Sequence, residues 1–502
     1  MRRCYRNSAL FILTFAVGGS LRAQPSVEGE WSGTIPFNNI EAIHTTLLPT
    51  GKVMFWQTWT DSTTLWDPET GRFSDMTSPS INIFCSAHAW LPDGRLLVVG
   101  GHIENFVGEP VADIYDPFTD TWANSDSDPN NDVPDMNAGR WYPSATTLGN
   151  GDVLVTSGDI GVNNNNSLPQ VYEYATNTWR DLLASDKNLP LYPRTFLTPD
   201  GNVASISNYG DRTEVIDVNG VGSWNYVDQT LDANIHNYGS AVMYEAGKIA
   251  NFGGGHNPTS HVTLIDFNDS SPQWSYAPDS MAQPRRQNDA TILADGTVLI
   301  TGGTSSVGWN DPEGLIAETE IWDPVTGLVS QVADADPDVY RGYHSTATLL
   351  PDGRVLITGG DHNHNGGGPF VGSKNAEIYS PAYHFNGPRP EVAAAPSLVE
   401  HGETFFVETV DAASIADVVW TIPGSTTHSQ NWTQRANHLD FVEVDGGLEI
   451  TVPPNPHSPP PGPYMLFLIN DNGVPASAEW ITAQLPTFSA DFDGDNAVGA
   501  DA

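Results

Sequence analysis

The chain has 502 residues, and its 61 acidic against 20 basic residues give a formal net charge of −41 at pH 7. Such an acidic chain argues against nucleic acid or an anionic membrane as a partner, since both need a cationic face. The length allows two or three domains whose cores need no disulfide support. The sequence contains only two cysteines, which agrees with that expectation.

The first residues predict a secretory signal. Three arginines precede the apolar run 9–17, and a short sequence typical of a cleavage site ends at Ala23. We therefore expect residues 1–23 to be removed and the protein to be secreted or periplasmic. Cleavage would remove Cys4 and leave Cys85 as the one thiol. No later apolar run approaches the ~18 residues of a membrane span, so we expect no membrane partner.

A hairpin motif recurs through residues 24–385. In each copy an apolar run leads into a turn with a glycine, and a β-branched run follows. The seven turn glycines are Gly51, Gly94, Gly151, Gly201, Gly247, Gly296 and Gly353. Their spacing is close to the ~50 residues of kelch repeats, in which each repeat forms one four-stranded blade. The pattern predicts an all-β fold with a seven-bladed propeller. Two β-sandwiches are the weaker alternative, because a sandwich has no reason to repeat one hairpin.

The segments around the hairpins extend this prediction. An aromatic or aliphatic strand with a turn follows each hairpin and predicts the third strand of each blade, with tryptophans packing between neighbours. The strand-like segment 30–35 precedes the first repeat, so we expect it to complete the last blade and close the ring. Residues 386–485 are β-rich without the repeat and predict an immunoglobulin-like sandwich. The acidic tail 486–502 spaces its carboxylates like part of a calcium loop, so calcium is a candidate ligand there and a solvated tail is the alternative.

One register of the repeat carries unusual residues. Nine positions before the turn glycines stand Ala42, Cys85, Tyr142, Tyr192, Tyr238, Gln287 and His344. A structural position would repeat one apolar type, whereas this one is polar or reactive in six of seven copies. Because one register maps to one height around a propeller axis, we expect these side chains to ring the axis where ligands bind. A single buried cysteine is more often an inert small hydrophobe, so Cys85 alone proves little.

The stretch 341–360 places a phenol, Tyr343, beside an imidazole, His344. Both are metal-ligand types. Successive side chains in a regular strand point to opposite faces, so both reach one metal only where a strand begins. The nearby pair His362 and His364 has the look of a second metal site, but a solvated glycine-rich loop is the preferred interpretation.

Several motifs resemble those of the copper radical oxidases, the family of galactose oxidase and glyoxal oxidase. They are Phe84-Cys85, Arg140-Trp141-Tyr142, 341–345 and, in the second domain, Thr426-Thr427-His428 with 463–467 and 473–475. The resemblance covers about 24–485. It implies one copper ion held by Tyr142, Tyr343, His344 and His428, with Tyr142 joined to Cys85 by a thioether that forms a radical cofactor.

The resemblance also implies a reaction. Copper(II) accepts one electron, whereas oxidising an alcohol or aldehyde takes two, so the sulfur-substituted Tyr142 would take the second. Tyr343 would be the axial ligand and accept the substrate's hydroxyl proton, and the Tyr142 radical would take hydrogen from carbon. Dioxygen would then reoxidise the copper and leave as hydrogen peroxide. We expect a monomer whose partners are dioxygen and a small aldehyde or alcohol.

Two departures from galactose oxidase favour a glyoxal-oxidase-like enzyme. Ile160 stands where that enzyme has a tryptophan covering the thioether, and its N-terminal carbohydrate-binding domain has no counterpart here. The substrates are then expected to be small aldehydes or simple primary alcohols. The shared register predicts that Tyr192, Tyr238 and Gln287 line the substrate pocket, with charge from Arg286 and His236. The alternative is a non-catalytic propeller that binds glycan or protein at the same face.

Overall fold

The computed structural model describes residues 24–58, 62–123, 133–308, 310–363, 369–432 and 434–486. The predicted signal segment, the calcium candidate in the tail and His364 lie outside these ranges. The described chain is almost entirely β. Its short helices are Pro25–Glu28 and the 3-10 turns Pro312–Gly314, Ala382–Phe385 and Ala412–Ser414. Within the same ranges, no helix has the length and apolarity needed to cross a membrane.

In the described chain, seven antiparallel sheets each contain one of the predicted hairpins. Sheets 1 to 7 are numbered here in chain order, and their strands, innermost first, are as follows: sheet 1, His44–Leu47, Val53–Trp56, Thr64–Trp66 and Phe73–Asp75; sheet 2, Ala87–Trp90, Leu96–Val99, Ala112–Asp116 and Thr121–Ala123; sheet 3, Ser144–Thr147, Val153–Thr156, Gln170–Glu173 and Thr178–Asp181; sheet 4, Arg194–Leu197, Val203–Asn208, Arg212–Asp217 and Ser223–Gln229; sheet 5, Ser240–Glu245, Lys248–Phe252, Val262–Asp266 and Ser275–Tyr276; sheet 6, Arg286–Ile292, Val298–Thr304, Glu320–Trp322 and Val329–Gln331; sheet 7, Ser345–Leu349, Val355–Gly359, Asn375–Ser380, Glu30–Trp31 and Ile35–Pro36.

The sheets close into a ring. The first strand of sheet 7 packs beside the first strand of sheet 1. The outer edge of sheet 7 is completed by the start of the chain, because Glu30 pairs with Ser380 and Ile35 pairs with Ala376. The sequence-based expectation for segment 30–35 is therefore confirmed, and the ring is held by strands from both of its ends.

The hairpin turns explain the repeated glycine. All seven turn glycines have φ between +77° and +86°, a left-handed conformation that glycine adopts without the steric penalty of a Cβ. In sheet 7 the amide of Leu350 donates to the carbonyl of Arg354 at 2.8 Å, and the amide of Gly353 donates back to Leu350 at 2.9 Å. The turn therefore fixes the register of two buried strands.

Tryptophans from the outer strands pack between neighbouring sheets, as the sequence indicated. The indole N–H of Trp122 donates to the carbonyl of Thr77 at 3.0 Å, and that of Trp274 donates to the hydroxyl of Thr213 at 2.8 Å. Each bond joins a sheet to a residue that precedes it in the chain. The apolar part of each indole fills the gap between sheets while its polar atom stays satisfied.

The second domain is a sandwich of two sheets, in agreement with the predicted immunoglobulin-like fold. One sheet contains Leu398–Glu400, Glu479–Gln484, Gly462–Asn470, Ile415–Thr421 and Ala436–His438, and the other contains Thr404–Glu408, Gly447–Thr451 and Phe441–Val444. A hairpin of this domain, Ser425–Thr427 with Gln430–Asn431, leaves the sandwich and adds to the inner edge of sheet 1. Thr426 pairs there with Thr45, so the turn containing His428 lies at the centre of the ring.

Candidate metal centre

The residues of the shared register have a shared backbone conformation. Six of the seven have a left-handed φ of +47° to +65°, an uncommon conformation for residues other than glycine: Cys85, Tyr142, Tyr192, Tyr238, Gln287 and His344. The amide of Tyr142 donates to the carbonyl of Cys85 at 3.0 Å, and the amide of Tyr192 donates to Tyr142 at 2.8 Å. Hydrogen bonds therefore link residues of this register from one sheet to the next.

Four buried side chains bring nitrogen and oxygen donors together at this height. The hydroxyl of Tyr142 lies 2.7 Å from the hydroxyl of Tyr343 and 2.7 Å from Nε2 of His428. The ring of His344 stacks on Tyr343 at 3.9 Å and meets the ring of His428 edge-on at 4.3 Å. The structure thus assembles the four residues that the resemblance named, three from the propeller and one from the second domain.

Hydrogen bonds orient both imidazoles. His344 Nδ1 lies 2.8 Å from Oδ2 of Asp361. The hydroxyl of Thr427 donates to the carbonyl of Ile43 at 2.7 Å, so at 2.6 Å it accepts the proton of His428 Nδ1. Each ring therefore keeps a lone pair on Nε2, and Nε2 of His344 is buried without a hydrogen-bond partner in the described chain. Metal-bound histidines are held in this way, by a partner on the second ring nitrogen.

Burial sets the protonation states of the donors. It raises the pKa of Tyr142 and the pKa of Tyr343 well above the usual phenol value. Burial, together with the neighbouring His344 and His44, lowers the pKa of His428 well below its usual value. At neutral pH the centre therefore contains two neutral phenols and a neutral imidazole. Two imidazole nitrogens and two phenol oxygens fit copper(II), which prefers such donors.

Two acidic side chains that the sequence analysis did not identify lie behind His344. Donor atoms of Glu41, His344 and Asp361 lie within 4.8 Å of one another. Burial, followed by the charge of Asp361, raises the pKa of Glu41 to about 8, so Glu41 is protonated at neutral pH. The segment with His362 and His364, interpreted above as a solvated loop, begins with Asp361, which is buried, so that interpretation is wrong for Asp361. Its position directly after Gly359-Gly360 was the signal available in the sequence.

Cys85 and Tyr142 are neighbours, and the phenol ring lies between two other aromatic rings. The side chain of Cys85 is fully buried and within hydrogen-bonding reach of Tyr142 and Trp141, and burial raises the pKa of its thiol. Trp141 stacks on one face of Tyr142 at 3.8 Å, and Tyr192 stacks on it at 4.3 Å. The stacking of Trp141 on Tyr142 was not expected, because Ile160 was taken to occupy the position that covers the thioether. The loop with Ile160 is the backbone partner of Trp141, through Asp159.

A cavity of about 370 Å³ opens over Tyr142, Tyr343 and His428. Its other lining residues are Phe106, Trp141, Pro190, Leu191, Tyr192, Arg194, Tyr209, His236, Asn237, Tyr238 and Gln430. No acidic residue is among these described residues, and Arg194 supplies a buried guanidinium. Tyr192 and Tyr238, which the shared register placed in a substrate pocket, both line this cavity.

Gln287 and Arg286 do not line this cavity, contrary to the prediction. Gln287 is fully buried, and its side-chain oxygen accepts a hydrogen bond from Tyr340 at 3.4 Å. Arg286 lies behind the wall, with its guanidinium 5.3 Å from the ring of Tyr238, and it donates to Asn237 at 2.6 Å. Burial and the neighbouring Arg194 lower the pKa of His236, so the positive charge at the cavity comes from Arg194.

A second cavity of about 250 Å³ reaches the centre from the side of His344. It shares Phe106, Trp141, Tyr142 and Tyr343 with the first cavity. The two cavities thus reach the four donor residues from two sides, and Phe106 and Trp141 line both of them.

Comparisons with known proteins agree with this architecture. Residues 228–383 match the family model "Glyoxal oxidase N-terminus", and residues 389–483 match "Galactose oxidase-like, Early set domain". A galactose oxidase of Gibberella zeae is 26% identical over 530 residues, covering 94% of this chain and 72% of that protein. The aldehyde oxidase GLOX of Vitis pseudoreticulata is 28% identical over 443 residues, covering 79% of this chain and 81% of that protein.

A solved structure supports the fold. A fungal alcohol oxidase in complex with copper matches 91% of this chain and 100% of its own, with a TM-score of 0.80 and 23% sequence identity. At that identity the match establishes the architecture of propeller and sandwich. The family models and the relatives therefore show that the chain is similar to the glyoxal oxidases and galactose oxidases, with one model matching the propeller and the other the second domain.

Proposed function

We propose that this chain is a copper radical oxidase that oxidises small aldehydes or primary alcohols and reduces dioxygen to hydrogen peroxide. Tyr142, Tyr343, His344 and His428 would hold one copper ion, and a thioether would join Tyr142 to Cys85. The observation that carries the proposal is the convergence of two phenol oxygens and two oriented imidazoles beside a buried thiol. Nε2 of His344 also has no hydrogen-bond partner in the described chain, so its lone pair is available to a metal ion.

Each side chain at the centre would have a separate role in the reaction. When bound, copper would supply a Lewis acid and accept one of the two electrons. Tyr142 would take the other electron as a radical, which an ortho sulfur makes easier to form, and its ring is stacked with those of Trp141 and Tyr192. Tyr343 lines the cavity floor and would accept the substrate's hydroxyl proton. Thr427 and Asp361 would keep the two imidazoles in the required tautomer.

The cavity suggests the substrate class. Aromatic walls from Tyr192 and Tyr238 favour a small molecule with an apolar face, and a volume of about 370 Å³ admits little more than a small ligand. The described lining has a guanidinium and no carboxylate, so neutral or anionic carbonyl compounds are favoured over cations. These features support a preference closer to glyoxal oxidase than to galactose oxidase. We also propose that the enzyme acts as a monomer and, on the strength of the predicted signal at 1–23, that it is exported.

The decisive experiment measures copper content and peroxide release together. Purified, copper-loaded protein is assayed with small aldehydes, simple primary alcohols and galactose. We expect about one copper per chain and peroxide from the aldehydes and short alcohols. Copper-loaded protein that releases no peroxide with any of them would instead favour a non-catalytic propeller that binds glycan or protein at this face.

His428 provides the matched variant. His428→Ala should lose copper and peroxide production while the propeller stays folded, because His428 is one of the two imidazoles among the four proposed donors. His438→Ala is the control, since that residue belongs to the same domain but is exposed and bonds to Asp417 at 2.7 Å. Unchanged copper affinity in His428→Ala would remove the second domain from the metal centre.

A further inference from the structure

Two buried histidines that the proposed reaction does not use lie beside Cys85. His44 and His88 are fully buried on the first strands of sheets 1 and 2. The backbone amide of Cys85 lies 3.1 Å from Nε2 of His44. Nδ1 of His44 lies 3.0 Å from Nε2 of His88, and Nδ1 of His88 hydrogen bonds to the hydroxyl of Ser425.

The direction of this chain of hydrogen bonds follows from its first member. A backbone amide can only donate, so Nε2 of His44 must accept and its proton must sit on Nδ1. That proton is donated to Nε2 of His88, which in turn places the His88 proton on Nδ1, facing Ser425. Burial lowers the pKa of His44, and it lowers the pKa of His88 to about 3. Both imidazoles are therefore neutral, as this arrangement requires.

Aromatic packing holds the two rings in place. Trp56 stacks on His44 with ring centroids 4.7 Å apart and planes inclined by 11°. Trp432 meets His88 edge-on at 4.7 Å. Ser425, the last residue in this series of hydrogen bonds, lies on the strand that leads to His428. Its hydroxyl is 3.1 Å from that of Thr46. The two histidines thus tie Cys85 to the hairpin of the second domain.

The backbone of Cys85 needs such support. Its φ of +65° is left-handed, a conformation that costs energy for a residue with a Cβ. Its carbonyl accepts from the amide of Tyr142 at 3.0 Å, and its amide donates to His44. With both polar groups of Cys85 bonded, the residue is held in the conformation that brings its side chain to Tyr142.

We propose that His44, held in turn by His88, is a positioning residue for formation of the Cys85–Tyr142 thioether. This inference rests on the proposed function. In the reaction the thiol S–H bond and one ring C–H bond break and one C–S bond forms. The two electrons and two protons released reduce one dioxygen to hydrogen peroxide. His44 gives up and receives no atom or electron in this reaction. Its role is to fix the sulfur near the phenol ring.

The test follows thioether formation directly. Protein made without copper is mixed with copper(II) in air, and samples are quenched over time for intact mass and for alkylation of Cys85 after denaturation. Loss of two hydrogens marks the thioether. We expect His44→Leu and His88→Leu to form it about tenfold more slowly than the wild type, because a buried donor loses its partner. His44→Gln should recover much of the rate, since its carboxamide oxygen can accept from the Cys85 amide.

A matched control separates positioning from general loss of stability. His401 is also buried, and both of its ring nitrogens lie near backbone carbonyl oxygens of the second domain, at 2.7 Å and 2.9 Å. His401→Leu should form the thioether at the wild-type rate. Copper affinity should be unchanged in all variants, and amide exchange at Cys85 should be clearly faster only in His44→Leu and His88→Leu.

The possible failures are distinguishable. Wild-type rates in both His44→Leu and His88→Leu would overturn the positioning role. Loss of copper binding in His44→Leu would overturn it too, because His44 would then act through the metal donors. If the wild type itself keeps a free Cys85 thiol after copper and air, the thioether of the proposed function is wrong and the inference falls with it.

Discussion

The indole ring of Trp141 lies 3.8 Å from the phenol ring of Tyr142, centroid to centroid, with the two planes inclined by 12°. Trp141 therefore covers one face of the ring that would hold the radical. Replacing it with Leu should shorten the lifetime of oxidised Tyr142 by about tenfold, since a stacked aromatic pair contributes roughly 0.5–1.5 kcal/mol and the indole also excludes water. The lifetime is measured from the decay of optical absorption after oxidation of copper-loaded protein.

The same chain offers a control for this variant. Trp179 packs on Tyr172 at 5.2 Å in sheet 3, away from the centre, and Trp179→Leu should leave the lifetime unchanged. Equal lifetimes in Trp141→Leu and the wild type would mean that the stacking does not protect the ring.

The hydroxyl of Thr427 should matter to copper affinity although it cannot touch the metal. Thr427→Val removes the group that accepts the Nδ1 proton of His428. Loss of such a partner typically lowers metal affinity about 10- to 100-fold. Thr426→Val is the neighbouring control, because that hydroxyl bonds to the carbonyl of Thr45 instead. A copper titration that gives the two variants equal affinity would contradict this role.

Substrate preference should depend on Tyr238 and not on Gln287. Tyr238 lines the cavity, whereas Gln287 occupies the same register one sheet further on and is buried away from it. A pocket contact is worth about 1–3 kcal/mol of discrimination, so Tyr238→Leu should change the ratio of kcat/KM between an aldehyde and a primary alcohol about tenfold or more. Gln287→Leu should keep the wild-type ratio. The reverse result would place the substrate on the other side of the ring.

Copper affinity of the copper-free protein should rise with pH. Burial raises the pKa of Tyr142 and the pKa of Tyr343, so both phenols keep their protons at neutral pH. Each phenol that binds as phenolate releases one proton, which increases the association constant about tenfold per pH unit. His428 adds no such dependence, because its lowered pKa leaves it neutral. Anaerobic titrations against a chelator from about pH 6 to 9 check this, and a flat profile would exclude phenolate ligation.

Glu41 should make the copper-free protein less stable as the pH rises. Its pKa is about 8 in the folded state against the ordinary carboxyl value of 4.5, so the folded state binds an extra proton between these two pH values. The contribution of this proton to the free energy of unfolding is fully present below about pH 4.5 and is lost as the pH rises through 8. Its size is at most about 1.4 kcal/mol for each unit by which the pKa is raised. Glu41→Gln should lose less stability between pH 5 and 9. Denaturant unfolding measures this, with the exposed Glu313→Gln as control; parallel profiles for both variants would contradict the assignment.

Much of the fold could be predicted because the hairpin of each repeat is determined by residues within that repeat. The turn glycines were identifiable since the left-handed turn strongly favours one residue type, and Gly353 shows this in its φ of +84°. Closure of the ring by the start of the chain was predictable because the strand-like segment 30–35 precedes the first repeat. The insertion of Ser425–Thr427 into sheet 1 was not predicted, since nothing local in that sequence specifies a pairing with His44–Leu47.

The residues of the candidate site could be predicted where their place in the hairpin repeat alone determines their position around the ring. Cys85, Tyr142 and His344 share one offset and one backbone conformation. Trp141, Asp361 and Thr427 were missed because their roles depend on side-chain contacts across the ring. His44 and His88 could be recognised in the sequence as unusual residues, because each is a titratable residue in a strand whose other residues are apolar or carry hydroxyl groups. A buried imidazole in such a strand indicates a partner that only the structure can identify.

The pairing of Thr45 with Thr426 also determines when the centre can form. One hydrogen bond of this contact joins positions 381 residues apart, and His428 follows Thr426 by two. During synthesis the first blade therefore emerges long before the strand that completes its inner edge, while domains generally fold in the order they are made. Oxidative chemistry cannot begin on the ribosome until nearly the whole chain is finished. A nascent or prematurely terminated chain would contain the thiol and the phenols but lack the last imidazole, and so would be unable to produce peroxide.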